Sequence, residues 1–352
     1  MTLFDLNNLD VAARFPSTRY QGSKHKYAEW IWSCVEDIPF HTVLDAFGGT
    51  GCMAHLFKRK GKAVTYNDVL TFNSIIGEAL IENDSGKISD ADARFILTAQ
   101  PGTRYPDFIE KTFHDIYFTD DENRWLDMAV TNIRRIENRH KRAVAWFALF
   151  QACIIKRPYN LFHRKNLNVR TRDVERSFGN KTTWDTPFET HYRQFIAEAN
   201  RAVFSNGEVN RSLNADVFDI ENQYDLVYID TPYISGNGVG VDYLEFYHFL
   251  EGLVRYDDWG RLIDEDSRHK RLKPAGSDWA SPRKIGDAFA RLVRQFRDSV
   301  LVISYRSDGI PGIDAIADLL AAHHKSVTVH ESASMKYVLS TKKTSEVLIV
   351  GR

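Results

Sequence analysis

Residues 43–68 constrain the fold more than any other stretch. VLDAF (43–47) is a short apolar run and GGTG (48–51) breaks it; CMAHLFKRK (52–60) then carries apolar residues at helical spacing up to Gly61, a helix stop. KAVTYND (62–68) reads as a second strand, so the stretch is strand, glycine turn, helix and strand. Glycines at such a turn let the backbone approach a bound group, and the start of the next helix offers free N–H groups. Taken alone, the turn also suits tight packing with no ligand.

The strand pattern returns far downstream, in DLVYID (225–230), SVLVIS (299–304), SVTVH (326–330), KYVLS (336–340) and EVLIV (346–350). Helices are predicted over 244–254 and after Ser281 and Pro282, a cap followed by a first-turn proline. Between about 81 and 204 helical patterns dominate: Thr119 caps Asp120, Asp121 and Glu122, and an apolar helix surrounds Trp146. Residues 157–187 follow with weak periodicity, a length typical of functional or disordered loops. Tyr159, Phe162, Phe178 and Trp184 within it argue against simple disorder. The expected organisation is one α/β catalytic domain built from residues 1–82 and 208–352, interrupted by an inserted, mainly helical domain of residues 83–207.

With 352 residues, 43% of them apolar, the chain can bury a sizeable core without covalent staples. Its three cysteines, Cys34, Cys52 and Cys153, show no zinc or dithiol spacing, and a reducing, cytoplasmic setting is expected. The first residues carry no signal-peptide pattern and the longest apolar segment, 143–155, is too short for a bilayer, so a soluble protein is expected. The twelve histidines show no metal-ligand spacing with acidic or cysteine partners, and no metal is assigned.

Net charge is only -1, yet residues 134–181 hold 13 Lys or Arg against three acids, Glu137, Asp173 and Glu175. Such a block can attract phosphates, which makes Lys156, Arg157, Arg164, Lys165, Arg170 and Arg172 candidates for phosphate contact. The bland alternative is a solvated charged face.

Asp68 lies seventeen residues after Gly51, a spacing at which a carboxylate can accept both hydroxyls of a ribose. GGTG lacks the dinucleotide pattern, so a nucleoside without a pyrophosphate fits better. DTPY (230–233) ends a second apolar strand, and in a doubly wound sheet it can face the same crevice as the glycine turn. An aromatic amine is a poor nucleophile because its lone pair is delocalised into the ring. Asp230 and the Thr231 carbonyl can accept its two hydrogens, Pro232 stiffens the turn, and Tyr233 offers a flat face for a base.

In this order the motifs resemble those of the alpha group of N6-adenine DNA methyltransferases, which includes the bacterial DNA adenine methylases. RYQGSKHK (19–26) resembles that group's amino-terminal cofactor motif, which implies that Tyr20 and Lys24 help bind S-adenosylmethionine. DAFGGTG fits its glycine motif through Phe47, Gly49 and Gly51, with Asp45 opening it and Asp68 as the ribose acid. NADVFD (214–219) implies a cofactor-adenine role for Asp216, and DTPY resembles the catalytic DPPY, with Asp230 also bordering the cofactor. SYRSDGIP (304–311) and EVLIV resemble later sheet motifs of the group. Thr231 replaces the usual first proline; since the family uses that residue's backbone carbonyl, the chemistry should survive with a less rigid turn.

The resemblance implies a class I S-adenosylmethionine-dependent methyltransferase fold with a mostly parallel seven-stranded sheet, and a target recognition domain in the insert. It implies double-stranded DNA as partner, an adenine flipped out of the duplex, and the modification half of a restriction-modification system. Without an obvious nuclease constellation, any cognate endonuclease is expected on another polypeptide, and the chain is expected to be a monomer. N4-cytosine methylation, an RNA substrate and a catalytically inactive DNA-binding module are the alternatives.

Overall fold

The 43–68 stretch folds as β1 (Thr42–Asp45), α1 (Cys52–Arg59) and β2 (Ala63–Asn67), the two strands parallel from Thr42↔Ala63 to Asp45↔Tyr66. The computed structural model describes residues 13–172, 181–332 and 345–352; Phe178 and the strand read over 336–340 lie outside them. After α2 (Thr71–Gly77) the chain leaves the sheet for a helical region that includes α3 (Asp120–Arg134), α4 (Arg139–Ile155) and α5 (Phe188–Ala202). It returns as β3 (Arg211–Leu213), β4 (Leu226–Ile229) and β5 (Ile234–Ser235), followed by α6 (Tyr243–Val254) and α7 (Ile285–Gln295). The remaining elements are β6 (Val300–Arg306), β7 (Gly309–Ile310), α8 (Ile313–Ala321), β8 (Val327–Glu331) and β9 (Glu346–Gly351).

Seven strands form one sheet in the order β3-β2-β1-β4-β6-β9-β8, while β5 and β7 pair separately. The first five in that order run parallel; β9 is antiparallel to both β6 and β8. This is the mostly parallel seven-stranded α/β sheet expected from the sequence. From β1 the chain proceeds outward to β2 and β3, then crosses back to β4 on the other side of β1. The order therefore reverses between β1 and β4, where sheets of this kind leave a crevice at the carboxyl ends of their strands.

Alternate residues of β1 serve opposite faces. Val43 joins a core shared with Val64 and Tyr66 of β2 and with Phe147, Leu149 and Phe195 of the helical region. Leu44 joins a second core with Ile229, Phe289, Leu292, Ile303 and Leu320, covered by α7 and α8. Helix α4 is buried without a break from Ala143 to Ile155, as a helix apolar on all sides must be. The helical region is thus joined to the sheet by one continuous apolar core.

Thr119 caps α3 through a capping box with Glu122, as its sequence predicts. The helix expected from Ser281 and Pro282 starts later, at Ile285. The Ser281 carbonyl instead accepts from the N–H groups of Lys284 and Ile285, closing a turn just before the first apolar residue of the helix face. Strand β3 has three residues, none of them buried, and no alternation to betray it. Among the described residues no helix is long and apolar enough to cross a membrane.

Candidate active site

A cavity of about 630 Å³ opens at the reversal point. Residues expected to bind cofactor, Tyr20, Lys24, Asp45, Phe47, Gly49, Asp68, Asp216 and Asp230, all line it. Gly51 stands behind them as the left-handed cap of α1, at φ 76°. Gly48 leaves room for the Tyr66 ring, which an added Cβ would meet at 2.0 Å, and the Tyr66 hydroxyl donates to the Gly49 carbonyl at 2.7 Å. The turn is therefore a cradle that side chains would fill, and the cavity fits a nucleoside-sized group.

Asp68 anchors this cradle. Its Oδ2 accepts from Gly49 N at 3.0 Å and Asn73 Nδ2 at 3.1 Å, and its Oδ1 from Leu70 N at 2.9 Å. A carboxylate has about four acceptor positions, so one remains, enough for one ribose hydroxyl rather than the two expected from spacing. Burial pushes this carboxyl up to about 6. Asp216 is exposed and caps the turn Val217–Asp219 through Phe218 N. Beside it, Phe47 meets the edge of Trp279 at 5.0 Å and Phe218 stacks on that ring at 5.8 Å, an aromatic wall not foreseen in the sequence.

At the opposite end Lys24 is 3% exposed, with its ammonium 3.1 Å from Asp230 and 2.6 Å from Glu346, which is itself fully buried. Burial opposes the charge on Lys24, but the two carboxylates outweigh it and hold the ammonium protonated. Burial pushes Asp230 up to about 7; Lys24 pulls it back and Glu346 adds to the rise. Asp45 is also raised, by burial and then by Asp230, and its Oδ1 has no hydrogen-bond partner. Glu346 escaped sequence reasoning although an acid opening a wholly buried strand was the available signal, since a buried charge needs a partner.

Of the four DTPY residues, Asp230 and Pro232 line the cavity, whereas Thr231 and Tyr233 are buried beside it. The Tyr233 ring lies 5.5 Å from the Lys24 ammonium and 5.2 Å from the Arg306 guanidinium. Tyr20 stacks between Tyr247 at 4.3 Å and Tyr243 at 5.5 Å, which fixes the segment carrying Lys24 against α6. The glycine-containing loop after DTPY closes a tight turn, and a Cβ on Gly240 would meet the Ala280 carbonyl at 2.6 Å.

The basic block reads differently in three dimensions. Lys156, Arg157 and Arg170 are buried and turned inward. Lys156 donates to the Trp184 and Thr186 carbonyls and pairs with Glu122, which Arg170 shares at 2.7 Å. Arg157 donates to the carbonyls of Leu161, Tyr117 and Arg164 and to Asn166 Oδ1, with its guanidinium 4.4 Å from the Tyr117 ring centre. Among the described residues the 157–187 segment is broken into short helical pieces, Pro158–Asn160, Leu167–Thr171 and Lys181–Asp185, and these side chains satisfy main-chain carbonyls at their ends and between them. They are structural in this fold rather than open to phosphates. Acids from elsewhere neutralise much of the rest: Arg134 pairs with Asp257, Arg139 with Glu78 and Glu82, and Lys141 with Asp92. Of the six candidates Arg164, Lys165 and Arg172 remain exposed, Lys165 within 3.0 Å of Asp115.

A profile of the D12 class N6 adenine-specific DNA methyltransferases matches residues 20–271. Over 329 residues the chain is 29% identical to the type II methyltransferase M2.HphI of Haemophilus parahaemolyticus, with 91% of each protein covered. It is 26% identical to the modification methylase LlaI of Lactococcus lactis subsp. lactis and 24% identical to the type II methyltransferase M.FokI of Planomicrobium okeanokoites. Those alignments take in 86% and 87% of this chain but 48% and 47% of the relatives, so the chain spans about half their length. The profile runs from the Lys24 segment through the glycine turn to the Asp230 turn, and the chain accordingly belongs to the D12 class N6 adenine-specific DNA methyltransferase family.

Proposed function

We propose that this chain is a site-specific modification methylase that transfers a methyl group from S-adenosylmethionine to N6 of an adenine flipped out of duplex DNA. The observation that carries the reading is the position of Asp230, at the end of β4, across the reversal point from the glycine cradle that follows β1. The cofactor supplies an electrophilic methyl on a sulfonium. Asp68 would hold a ribose hydroxyl, and the aromatic wall of Phe47, Phe218 and Trp279 would border the adenine of the cofactor near Asp216.

Asp230 accepts from the target N6, the Thr231 carbonyl from its second hydrogen, and Lys24 keeps Asp230 in place. Tyr233 offers the base a face once the ring is free of Arg306. Nucleoside analysis of DNA from a methylation-free host expressing the protein should reveal N6-methyladenine at one sequence motif. N4-methylcytosine, or no modified base, would reject this reading.

For the insert, residues 83–207, we propose target recognition, with phosphate contact from Arg164 and Lys165 on the exposed part of the 157–187 loop. Replacing both with Gln should lower the slope of log affinity for duplex DNA against log salt by about 0.9 for each phosphate no longer neutralised. Arg157→Gln should instead lower the melting temperature, because it leaves several buried carbonyls unsatisfied. A salt titration and a thermal melt on the two variants check both outcomes; an unchanged salt slope returns Arg164 and Lys165 to the solvated face.

A further inference from the structure

Helix α6 sets two tyrosines against the segment that carries Lys24, and it uses them differently. The Tyr20 ring is stacked between them, 4.3 Å from Tyr247 and 5.5 Å from Tyr243. The Tyr247 hydroxyl accepts from Gln21 N at 2.8 Å. The Tyr243 hydroxyl makes no hydrogen bond among the described residues. It lies over Gly22, whose backbone stands at φ 84° and where a Cβ would overlap the phenol oxygen. Asp242 caps the first turn of α6 through Leu244 N at 2.9 Å and Glu245 N at 3.2 Å, which fixes the turn that carries this ring.

Stacking on Tyr20 needs only the ring. The hydroxyl is surplus to that clamp and belongs to the cavity, for Tyr243 is half-buried and lines it together with Asp230 and Pro232. Tyr228 and Tyr233, the other phenols near Asp230, are buried. Burial, then the neighbouring Tyr233 and Asp230, push the Tyr243 phenol well above its usual range, so at neutral pH it remains a donor.

We infer that Tyr243 is a further substrate-contacting residue, whose hydroxyl donates to a ring nitrogen next to N6, N1 or N7, of the adenine held by Asp230. The inference rests on the proposed function of this cavity. Asp230 and the Thr231 carbonyl both hold the base through its exocyclic nitrogen, and two contacts through one atom leave the ring free to swing about it. A donor to an adjacent ring nitrogen adds a second point of attachment in the plane of the base and sets the direction in which N6 meets the methyl group. Flipped bases are read by hydrogen bonds at the edge that pairing occupied, where N1 lies; N7 is the acceptor on the opposite side of N6.

Tyr243→Phe keeps the stacked ring and removes the donor. On a duplex carrying the mapped methylation motif, single-turnover transfer should slow about five- to tenfold in the variant, the loss of one hydrogen bond to a neutral acceptor. The melting temperature, and the calorimetric affinity for S-adenosylmethionine without DNA, should stay at their wild-type values. Wild type should show the same loss when the target adenine is replaced by 1-deazaadenine or by 7-deazaadenine, whichever lacks the acceptor used, and on that analogue the variant should lose nothing more. An undiminished variant rate, or a variant penalty that persists on both analogues, would overturn the inference. So would weaker S-adenosylmethionine binding by the variant, which would assign the hydroxyl to the cofactor. If the variant melts early, wild type decides: a rate lost on one analogue supports the contact, and full rates on both overturn it. Wild type that methylates no adenine would reject the proposed function instead.

Discussion

Asp230→Ala is expected to slow methyl transfer by about 10²–10³-fold or more, the loss that follows removal of a preorganised group aligned with charge developing in the transition state. The substitution is a clean test because Lys24 retains Glu346 as its partner, so no buried cation is orphaned and the fold should survive. Stability should not fall. A carboxyl raised from 3.8 to about 7 binds its proton more tightly in the native than in the unfolded chain, so ionised Asp230 makes the wild type less stable as pH rises from about 4 to about 7. The variant lacks that decline. Single-turnover rates with saturating cofactor, together with denaturant melts at pH 6 and 8, measure both effects; activity within about tenfold of wild type, ~1.4 kcal/mol in the barrier, would remove Asp230 from the mechanism.

Lys24→Met should do more damage to the fold. It strips the shared cation from two buried carboxylates, and breaking a buried pair in this way costs about 3–5 kcal/mol. The pH dependence has a definite sign. Lys24 has a raised pKa, so its stabilising contribution is complete at neutral pH and is lost only as pH rises through that raised value. In the variant, protonation of Asp230 relieves the repulsion, so the deficit against wild type should be smaller at pH 6 than at pH 8. Urea melts at the two pH values provide the check; a deficit that is small, or larger at pH 6, would mean that solvent reaches these groups.

The glycine turn, Asp68 and Asp230 were legible in the sequence because each is local: a strand pattern, then a residue type that its end requires. Most strands followed from the same patterns, apart from β3, whose three residues have no alternation to read, while the mostly parallel seven-stranded arrangement was implied by the family resemblance. Glu346 was not legible, for its meaning depends on Lys24 lying 322 residues away, a pairing that only the order of strands creates. The basic block misled for a related reason. A count along the chain cannot distinguish Arg164, which faces solvent, from Arg157, whose guanidinium is consumed by the carbonyls of its own loop. Charge at the surface is a property of packing, and Glu122, Asp257 and Glu82 reach the block from elements outside it.

The Lys24–Glu346 contact also ties the site to the most distant parts of the sheet. The two residues are 322 positions apart, and contacts of such separation form late because the intervening loop must close first. The site is therefore complete only once β9 lies between β6 and β8, for that strand brings Glu346 to the Lys24 ammonium.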